Sequence, residues 1–380
     1  MTVRSERLRR GFTSGACVQA ATRAAALSVA AGLTGGAEAA GPAENQAAGD
    51  VAARNRGGRC GPPVDRAKAA AVEVVLPGGD SAVFPVAVHG EGVCSIVKDA
   101  GDDPDVTGGM RIFVRVAGRG DGRFFVRGEE GVGRVTLAGL PVKPGRSAIN
   151  PVPLKHIHEE ARRVLPRGAE VTVWIPGGEK LASRTFNPRL GIVGGLSILG
   201  TTGRIEPWSA SAYQESLIPQ LDVARAAGRR RLVLVPGAKG ERAALAAGFE
   251  PGGVVQTGNY AGMMLAAARD RGFRRLTLLG HASKLAKLAR GDFNTHSRSS
   301  AMPLDVLAEA AVACGWSRRR AAALTRLTTT EAAITRLLEA GAGEVLDEAA
   351  RRVAARVEAD FGLKTEILLT NARGAVIGRA

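Results

Sequence analysis

The alternation that decides the fold lies in residues 231–289, RLVLVPGAKGERAALAAGFEPGGVVQTGNYAGMMLAAARDRGFRRLTLLGHASKLAKLA. Apolar runs at Arg231–Val235, Gly253–Gln256 and Arg275–Leu279 alternate with runs of helical composition. Such β-α-β alternation with apolar strands is typical of a parallel sheet covered by helices. We therefore predict a Rossmann-like, doubly wound parallel sheet in this part of the chain.

The same alternation of strand-like and helical runs continues on both sides, which makes the predicted α/β domain longer. Upstream, Leu190–Val193 is predicted as a strand and Ala210–Ala227 as the helix that follows it. Downstream, residues 303–360 have a mostly helical composition, and Lys364–Thr370 is the last clear strand-like run. The second domain is thus predicted to cover residues 189–380, with a helical C-terminal part.

Residues 1–188 show a different pattern, in which strand-like runs follow one another with few helices between them. Helices are predicted at residues 14–31, with Ser14 as N-cap, and at Leu154–Val164. Residues 33–63 lack periodicity and are predicted to be a flexible surface insertion. The pattern predicts an α+β domain, with strands at Ala71–Leu76, Ala82–Val88, Cys94–Lys98, Arg111–Val116, Arg123–Arg127 and Glu170–Ile175.

The composition argues against several classes of protein. Four cysteines in 380 residues, with no C-x-x-C pair, do not make a secreted disulfide framework. No apolar run reaches the ~18 residues that a membrane span needs. Arg9 and Arg10 precede an Ala-rich run, but polar residues interrupt that run, unlike the apolar core of an export signal. We expect a cytoplasmic enzyme with no membrane partner.

The formal net charge of +16 indicates affinity for polyanions. Nucleic acid, an acidic membrane surface, and a polycarboxylate or phosphate substrate all fit that sign. The basic residues are scattered, and no zinc-finger or aromatic-interleaved basic stripe appears. We expect no specific nucleic-acid partner and keep a nucleic-acid-binding module as the alternative class. The sequence leaves open whether the chain forms a homo-oligomer.

The predicted parallel sheet gives a reason to expect a ligand site, because ligands sit outside the carboxyl ends of its strands. The loops at those ends are rich in Gly or small polar residues: Gly194–Gly203, Pro236–Gly240, Thr257–Gly262 and Gly280–Lys284. The first reads GGLSILGTTG, and its glycines let the backbone approach a ligand closely. Its spacing matches neither the dinucleotide fingerprint nor a P-loop. A tight turn without a ligand remains the alternative.

Two segments of the first domain also carry candidate groups. Residues 99–105, DAGDDPD, supply carboxylates for a metal or for proton transfer, or they form a turn. Residues 11–17, GFTSGAC, open a helix whose N–H groups attract a carboxylate or phosphate, or which Ser14 simply caps. Cys17 is a nucleophile or a buried core thiol.

Two segments near the second domain are treated in the same way. Lys284 and Lys287 are three residues apart on one predicted helical face, where they could clamp a polycarboxylate. His281, at a predicted strand end, is a ligand, an acid–base group or a structural cap. Residues 148–153, AINPVP, are predicted to be rigid and extended, as an interdomain connection would be.

Read in chain order, these segments resemble one family. The motifs are GFTSGAC, IVKDAGDDPDVT, GVGRVT, AINPVP, TFNPRLGIVGGLSILGTTG, GNYAG, GHASKLAKLA and THS, between about Leu8 and Ser297. Together they resemble the cobalt-precorrin-5B C1-methyltransferase (CbiD) family of anaerobic cobalamin biosynthesis. The resemblance implies methyl transfer from S-adenosyl-L-methionine to C1 of cobalt-precorrin-5B, which gives cobalt-precorrin-6A and S-adenosyl-L-homocysteine. A corrinoid-binding protein without methyl transfer is the alternative.

The resemblance also implies a corrinoid polycarboxylate as small-molecule substrate and no metal of the protein's own, because the cobalt belongs to the substrate. Together with the loop argument it gives a set of candidate residues. Acid–base candidates are His281, Asp99 and Asp102. Methyl-donor candidates are Gly194, Gly195, Ser197, Gly200, Thr201, Thr202, Gly203, Gly237 and Asn259. Substrate candidates are Arg10, Thr13, Ser14, Lys98, Asn150, Arg189, Lys284, Lys287 and His296.

Four positions depart from the residues expected of the family. Gly108 stands where His is frequent, Leu154 where Arg is usual, Ser283 where Gly is common, and Trp208 where Met is usual. None of the four lies in the Gly194–Gly203 loop.

Overall fold

A computed structural model describes residues 8–33 and 68–380 of the chain, with only the backbone described at Leu33. Apart from Leu33, the predicted flexible insertion at residues 33–63 lies outside the described residues. The described residues form several sheets with helices between them, which is a mixed α/β architecture. Among them, no helix is long and apolar enough to cross a membrane.

The chain divides into two compact units. The first unit comprises Met1–Thr136 and Pro141–Trp208, and the second comprises Leu137–Leu140 and Ser209–Ala380. The sequence predicted a boundary between residues 188 and 189. The boundary in the structure lies later, because the residues just after 188 pair with strands of the first unit.

The main sheet of the first unit has six strands in the order β2-β3-β4-β5-β9-β6. Neighbouring strands are antiparallel except β9 and β6, which are parallel. Alternating burial along β3 and β5 gives the sheet one apolar face, as a two-residue side-chain period requires. The predicted strands are confirmed, and the bounds are β1 Gly11–Phe12, β2 Lys68–Val75, β3 Ser81–Gly90, β4 Val93–Val97, β5 Arg111–Gly118, β6 Phe124–Gly128, β7 Gly131–Val132, β8 Arg134–Val135 and β9 Ala169–Trp174.

Helices α1 (Ser14–Leu33) and α2 (Pro151–Val164) pack together, and α1 also contacts the sheet through β4 and β5. The buried side of α1 consists mostly of small residues, with five Ala among them, which allows close approach to both neighbours. Thr13, rather than the predicted Ser14, caps α1, since its Oγ1 accepts from Ala16 N at 3.2 Å. Residues 150–153 were predicted to be extended, but Pro151 opens α2, where a missing N–H costs nothing.

The remaining elements of the first unit are short: α3 Gly178–Ala182, β10 Ile192–Val193, β11 Gly195–Leu196 and β12 Arg204–Ile205. β10 pairs with β8, β11 with β7, and β12 with β1. The sequence placed Leu190–Val193 in the parallel sheet of the second domain, and that prediction is wrong. A strand of two residues is too short for a central position there, and its partners lie in the first unit.

The sheet of the second unit has the order β14-β13-β15-β16-β17. Its strands are β13 Arg231–Val235, β14 Val254–Gln256, β15 Arg275–His281, β16 Lys364–Thr370 and β17 Val376–Arg379. The first four in sheet order are parallel, and β17 adds an antiparallel edge. The prediction of a parallel sheet is confirmed for β13, β14, β15 and β16. The near-continuous burial of β13 and β14 agrees with strands covered on both faces.

The helices of the second unit are α4 Ala210–Leu217, α5 Pro219–Ala226, α6 Ala238–Ala246, α7 Ala261–Asp270, α8 Ala282–Leu285, α9 Leu304–Ala313, α10 Arg318–Ala322, α11 Thr330–Glu339 and α12 Gly343–Phe361. The predicted single helix Ala210–Ala227 is divided between α4 and α5. The division falls at Pro219, which lacks the N–H that a continuous helix needs. The predicted helical C-terminal part is confirmed.

Candidate functional site

The strand order of the second unit creates a switch point between β13 and β15. The chain leaves β13 for β14 on one side and later returns to β15 on the other. The loops that follow these two strands begin at Pro236 and His281. They lie close together, since a Cβ on Gly280 would be 2.7 Å from Pro236 Cδ. Ligands of open parallel sheets bind at such a crevice outside the carboxyl strand ends.

His281 ends β15 and begins α8, and both of its ring nitrogens have partners. Nδ1 accepts from Ser283 N at 3.1 Å and lies 2.6 Å from Ser283 Oγ. Nε2 lies 2.8 Å from Glu331 Oε2, in the first turn of α11. The His281 side chain remains 28% exposed and that of Glu331 41% exposed. The histidine therefore caps a helix and is also paired with a carboxylate at the switch point.

The ammonium groups of Lys284 and Lys287 donate to neighbouring loops of the second unit. Lys284 Nζ donates to Asn259 Oδ1 at 2.8 Å and to Thr295 O at 3.1 Å. Lys287 Nζ donates to Ser300 O at 2.8 Å and to Thr295 O at 3.3 Å. Burial lowers the pKa of Lys284. Burial, followed by the neighbouring charges of Lys284 and Arg290, lowers the pKa of Lys287.

The two lysines thus hold the loop that carries His296. Lys287 is buried, with 5% exposure, whereas His296 is exposed. The backbone amide of Arg298 donates to His296 Nδ1 at 3.1 Å, which leaves Nε2 for a ligand or water. Lys287 therefore supports the loop and is not available to the substrate.

Gly237 lies between β13 and α6, beside the switch point. A Cβ built there would meet nothing within 4 Å. Ala238 and Lys239, which begin α6, are exposed. The backbone N–H groups that start a helix are unpaired within that helix, so this end offers donors to an anionic or polar ligand.

The Gly194–Gly203 loop lies in the first unit, where it covers the beginning of α1. Leu199 N donates to Ser14 Oγ at 3.0 Å, and Gly15 N donates to Leu199 O at 2.9 Å. A Cβ on Gly200 would overlap Thr13 Oγ1, and the φ of Gly200 is +137°. The argument that placed this loop at the edge of the parallel sheet is therefore wrong. The glycines of this loop allow its backbone to pack closely against neighbouring segments.

Several members of the loop have partners, while others face outwards. Ser197 Oγ donates to Asn187 Oδ1 at 3.2 Å, and Asn187 Nδ2 donates to Gly195 O at 3.0 Å. Thr201 and Thr202 are exposed, as is Gly194, whose Cβ position is open. The backbone N–H of Asn150 donates to Ile198 O at 2.9 Å, and its side chain makes no capping bond to α2.

Lys98 is the least accessible of the predicted substrate residues, at 2% exposure. Its Nζ donates to Asp105 Oδ2 at 2.6 Å. Burial acts to raise the pKa of Asp105, but the Lys98 charge and the hydrogen bonds from Thr107 outweigh it and lower that pKa. Lys98 is thus covered and already paired, so we leave it out of the proposed substrate site.

Asp99 and Asp102 form a turn with Arg9. The Arg9 guanidinium hydrogen-bonds Asp99 and holds the pKa of that carboxyl below its usual range. Asp102 accepts from the backbone amide of Arg9. The turn interpretation of residues 99–105 is therefore the one that matches the contacts. Among the described residues, no group of His, Cys, Asp and Glu side chains could hold a metal ion.

The remaining candidates of the first unit are at its surface or in its core. Arg10 pairs with Glu206 at 2.9 Å, with both side chains exposed. Arg189 is exposed and lies over the Phe186 ring, 5.7 Å from its centroid. Burial raises the pKa of Cys17 to about 12, so its thiol stays protonated and Cys17 is a core residue.

Glu331 is a site residue that the sequence analysis missed. It lies fifty positions from His281 in the chain, inside a predicted helical region without any recognised motif. One local signal was present: Thr329, Thr330 and Glu331 open a helix, where an acidic residue in the first turn is favoured. That signal predicts a helix start but not its neighbour across the fold.

Comparisons with known proteins agree on one family. The family model described as CbiD matches residues 30–207, and the model described as CbiD, C-terminal domain, matches residues 294–380. A cobalt-precorrin-5B C(1)-methyltransferase of Moorella thermoacetica is 40% identical over 86% of this chain and 82% of its own length. The protein of the same name from Methanocaldococcus jannaschii is 38% identical over 81% of this chain and 88% of its own. A crystal structure titled cobalamin biosynthesis protein (CbiD), from Archaeoglobus fulgidus, is 26% identical over 77% of this chain and 84% of that chain. Its TM-score of 0.38 is too low to support a conclusion about the fold.

Proposed function

Because the chain belongs to the CbiD family, we propose that it transfers a methyl group from S-adenosyl-L-methionine to C1 of cobalt-precorrin-5B. The observation that carries the proposal is the 40% identity to a curated cobalt-precorrin-5B C(1)-methyltransferase over 86% of the chain. The products are then cobalt-precorrin-6A and S-adenosyl-L-homocysteine. The cobalt is part of the substrate, and the protein supplies binding and orientation.

Methyl transfer from a sulfonium is an in-line displacement, and the electron-rich ring carbon is the nucleophile. The S-adenosyl donor supplies the electrophilic methyl group. The protein must hold sulfur, methyl and carbon in line and exclude water, which accounts for much of the rate enhancement in such reactions. No strong nucleophile of the protein is required, in agreement with a Cys17 thiol that burial keeps protonated.

We propose that the donor binds at the switch point of the second unit, whose sheet we describe as Rossmann-like. Gly237 leaves open space there, the beginning of α6 is exposed, and Asn259, whose Oδ1 accepts from Lys284, lies in the loop after the neighbouring β14. These groups fit the hydroxyls, carboxylate and flat base of the donor. The outward-facing Gly194, Thr201 and Thr202 of the first unit remain the alternative donor site.

The substrate carries many carboxylates, and exposed basic groups could bind them through charge-assisted hydrogen bonds. Arg10, Arg189 and His296 are exposed, and Lys284 is partly buried with two of its three ammonium protons used. Asn150 remains a predicted substrate residue at the start of α2. Thr13 and Ser14 are buried and accept from Ala16 N and Leu199 N, so like Lys98 they are left out of the proposed substrate site. We also propose a cytoplasmic location.

A titration with S-adenosyl-L-homocysteine tests where the donor binds. Ala238→Trp and Thr201→Trp place the same bulky ring at two exposed positions, one at the switch point and one in the Gly-rich loop. We expect Ala238→Trp to weaken binding at least tenfold and Thr201→Trp to leave it unchanged. The opposite result assigns the donor to the Gly-rich loop.

A turnover assay tests the activity itself. The protein is incubated with cobalt-precorrin-5B and methyl-labelled donor, and the corrinoid product is examined by mass spectrometry. We expect a mass increase of one methyl group per macrocycle. Binding of the corrinoid without methylation at saturating donor would instead support a carrier protein, and no heat with the donor product at millimolar concentration would contradict the proposal.

A further inference from the structure

We infer that Glu331 is a positioning residue that keeps the ring proton of His281 on Nε2, so that Nδ1 can accept the proton released by the methylated substrate. The inference rests on the proposed function. It starts from the hydrogen bonds that surround the His281 ring in the second unit.

The contacts at Nδ1 fix where the ring proton lies. The backbone N–H of Ser283 points to Nδ1 at 3.1 Å, and an N–H group cannot donate to a nitrogen that carries its own proton. In neutral His281 the proton is therefore on Nε2. That proton is donated to Glu331 Oε2 at 2.8 Å. Both ends of the ring independently favour the same tautomer.

Glu331 is itself held in place from two sides. It lies in the first turn of α11, where the positive end of the helix favours a carboxylate. Its Oε1 accepts from Ala372 N at 3.3 Å, just beyond the end of β16. Because β15 and β16 are paired from Arg275 with Lys364 to His281 with Thr370, the carboxylate and the imidazole are fixed to adjacent strand ends. Glu331 therefore has two stabilising contacts in addition to the His281 ring.

The Ser283 hydroxyl is the route to Nδ1. Its Oγ lies 2.6 Å from Nδ1, which is close enough to pass its proton to the ring while accepting another. After protonation, Nδ1–H has Ser283 Oγ as its acceptor, the backbone N–H of Ser283 gives up its bond to Nδ1, and the charged ring is stabilised by Glu331.

The charge balance of the reaction leaves the methylated product with a proton to release. The S–CH3 bond breaks with its electron pair on sulfur, and the new C1–CH3 bond uses an electron pair of the ring. The methyl group thus arrives as a cation equivalent, and the product carries one more positive charge until it releases a proton. In the inferred step that proton goes to Ser283 Oγ while the Ser283 proton goes to Nδ1.

The first test locates the proton directly. The full chain is labelled with ¹⁵N in its five histidine rings, and the His281 signals are assigned by their loss in His281→Gln. We expect an unprotonated Nδ1 and a protonated Nε2 in the wild type. In Glu331→Ala, where only the Ser283 N–H still favours that tautomer, we expect a measurable fraction protonated on Nδ1. A wild-type proton on Nδ1 overturns the inference, whatever the kinetics show.

The second test measures turnover. Glu331→Gln removes the charge but keeps an oxygen for Nε2–H, and Glu344→Gln removes the same charge from the first turn of α12 as a control. We expect kcat of Glu331→Gln to fall about 10- to 100-fold, up to the lower limit of the range for general acid–base catalysis, because Gln still holds the Nε2 proton. KM for the corrinoid and affinity for S-adenosyl-L-homocysteine should change little. Ser283→Gly should lower kcat while leaving the ring proton on Nε2.

The outcomes separate this inference from the proposed function. Methylation by the wild type with equal kcat in Glu331→Gln and Glu344→Gln overturns the role of Glu331 and leaves the function intact. Equal kcat in Ser283→Gly and the wild type overturns the hydroxyl route. A wild type that binds both ligands and transfers no methyl group contradicts the proposed function, while the ring-nitrogen spectrum still tests the tautomer.

Discussion

Single glycines in the first unit are required by contacts rather than by flexibility. Gly200 has a φ of +137°, and the space that its side chain would need is occupied by Thr13. Gly194 also has a positive φ, of +76°, but the space beside it is open. Alanine substitutions at the two positions therefore distinguish the effect of backbone strain from that of steric overlap.

Gly200→Ala should destabilise the protein more than Gly194→Ala. The control substitution introduces backbone strain alone, worth about 1 kcal/mol. At Gly200, overlap with Thr13 adds about 1–3 kcal/mol of overpacking. The free energy of unfolding is measured by urea denaturation, followed by circular dichroism. Equal losses in the two variants would show that Thr13 moves away and that the close approach is not needed.

Residue-level chemistry was predicted unevenly. His281 was recognised because it follows an apolar strand, and a strand end in a parallel sheet is where ligands bind. Lys98 and Lys287 were selected for their charge, but sequence does not reveal burial, and both ammonium groups are covered. Glu331 was missed because its contact with His281 depends on how α11 packs near the end of β15.

At the scale of elements, strongly periodic or uniformly apolar runs were predictable. β13, β14 and β15 are mostly apolar, have Gly or Pro near their ends, and are connected by helices. Their type and their parallel direction therefore followed from local pattern. The short strands β10 and β11 were not predictable in their pairing. Two residues carry no period, and their partners β8 and β7 are distant in the chain.

Helix α1 depends on small side chains, because it packs against α2 and against the sheet at once. Ala21 is fully buried in it, whereas Ala31 is exposed near its end. Ala21→Leu should lower the free energy of unfolding by about 1–3 kcal/mol through overpacking. Ala31→Leu should change it by less than about 0.5 kcal/mol.

Urea denaturation of the two variants checks this expectation, because both introduce the same side chain into the same helix. A well-tolerated Ala21→Leu would show that the spacing between α1 and its neighbours adjusts freely. The Ala-rich composition of α1 would then have no packing explanation.

At the scale of the whole molecule, the net charge of +16 should promote binding to polyanions whatever the fold. Polyanions should bind through released counterions, without sequence preference. We expect gel-shift affinity for duplex DNA to fall steeply between about 50 and 200 mM salt, and Ala238→Trp to leave it unchanged. Affinity that persists at high salt, or that discriminates between DNA sequences, would favour a specific nucleic-acid role instead.

The segment Leu137–Leu140 belongs to the second unit, although the chain on both sides of it belongs to the first. Gly139 rests against the backbone of Asp222, too close for any side chain. A gene cut once, between the codons for Trp208 and Ser209, would therefore give a C-terminal fragment that lacks part of its own unit. The C-terminal half of such a split gene would have to be expressed together with the N-terminal half, which carries the missing segment.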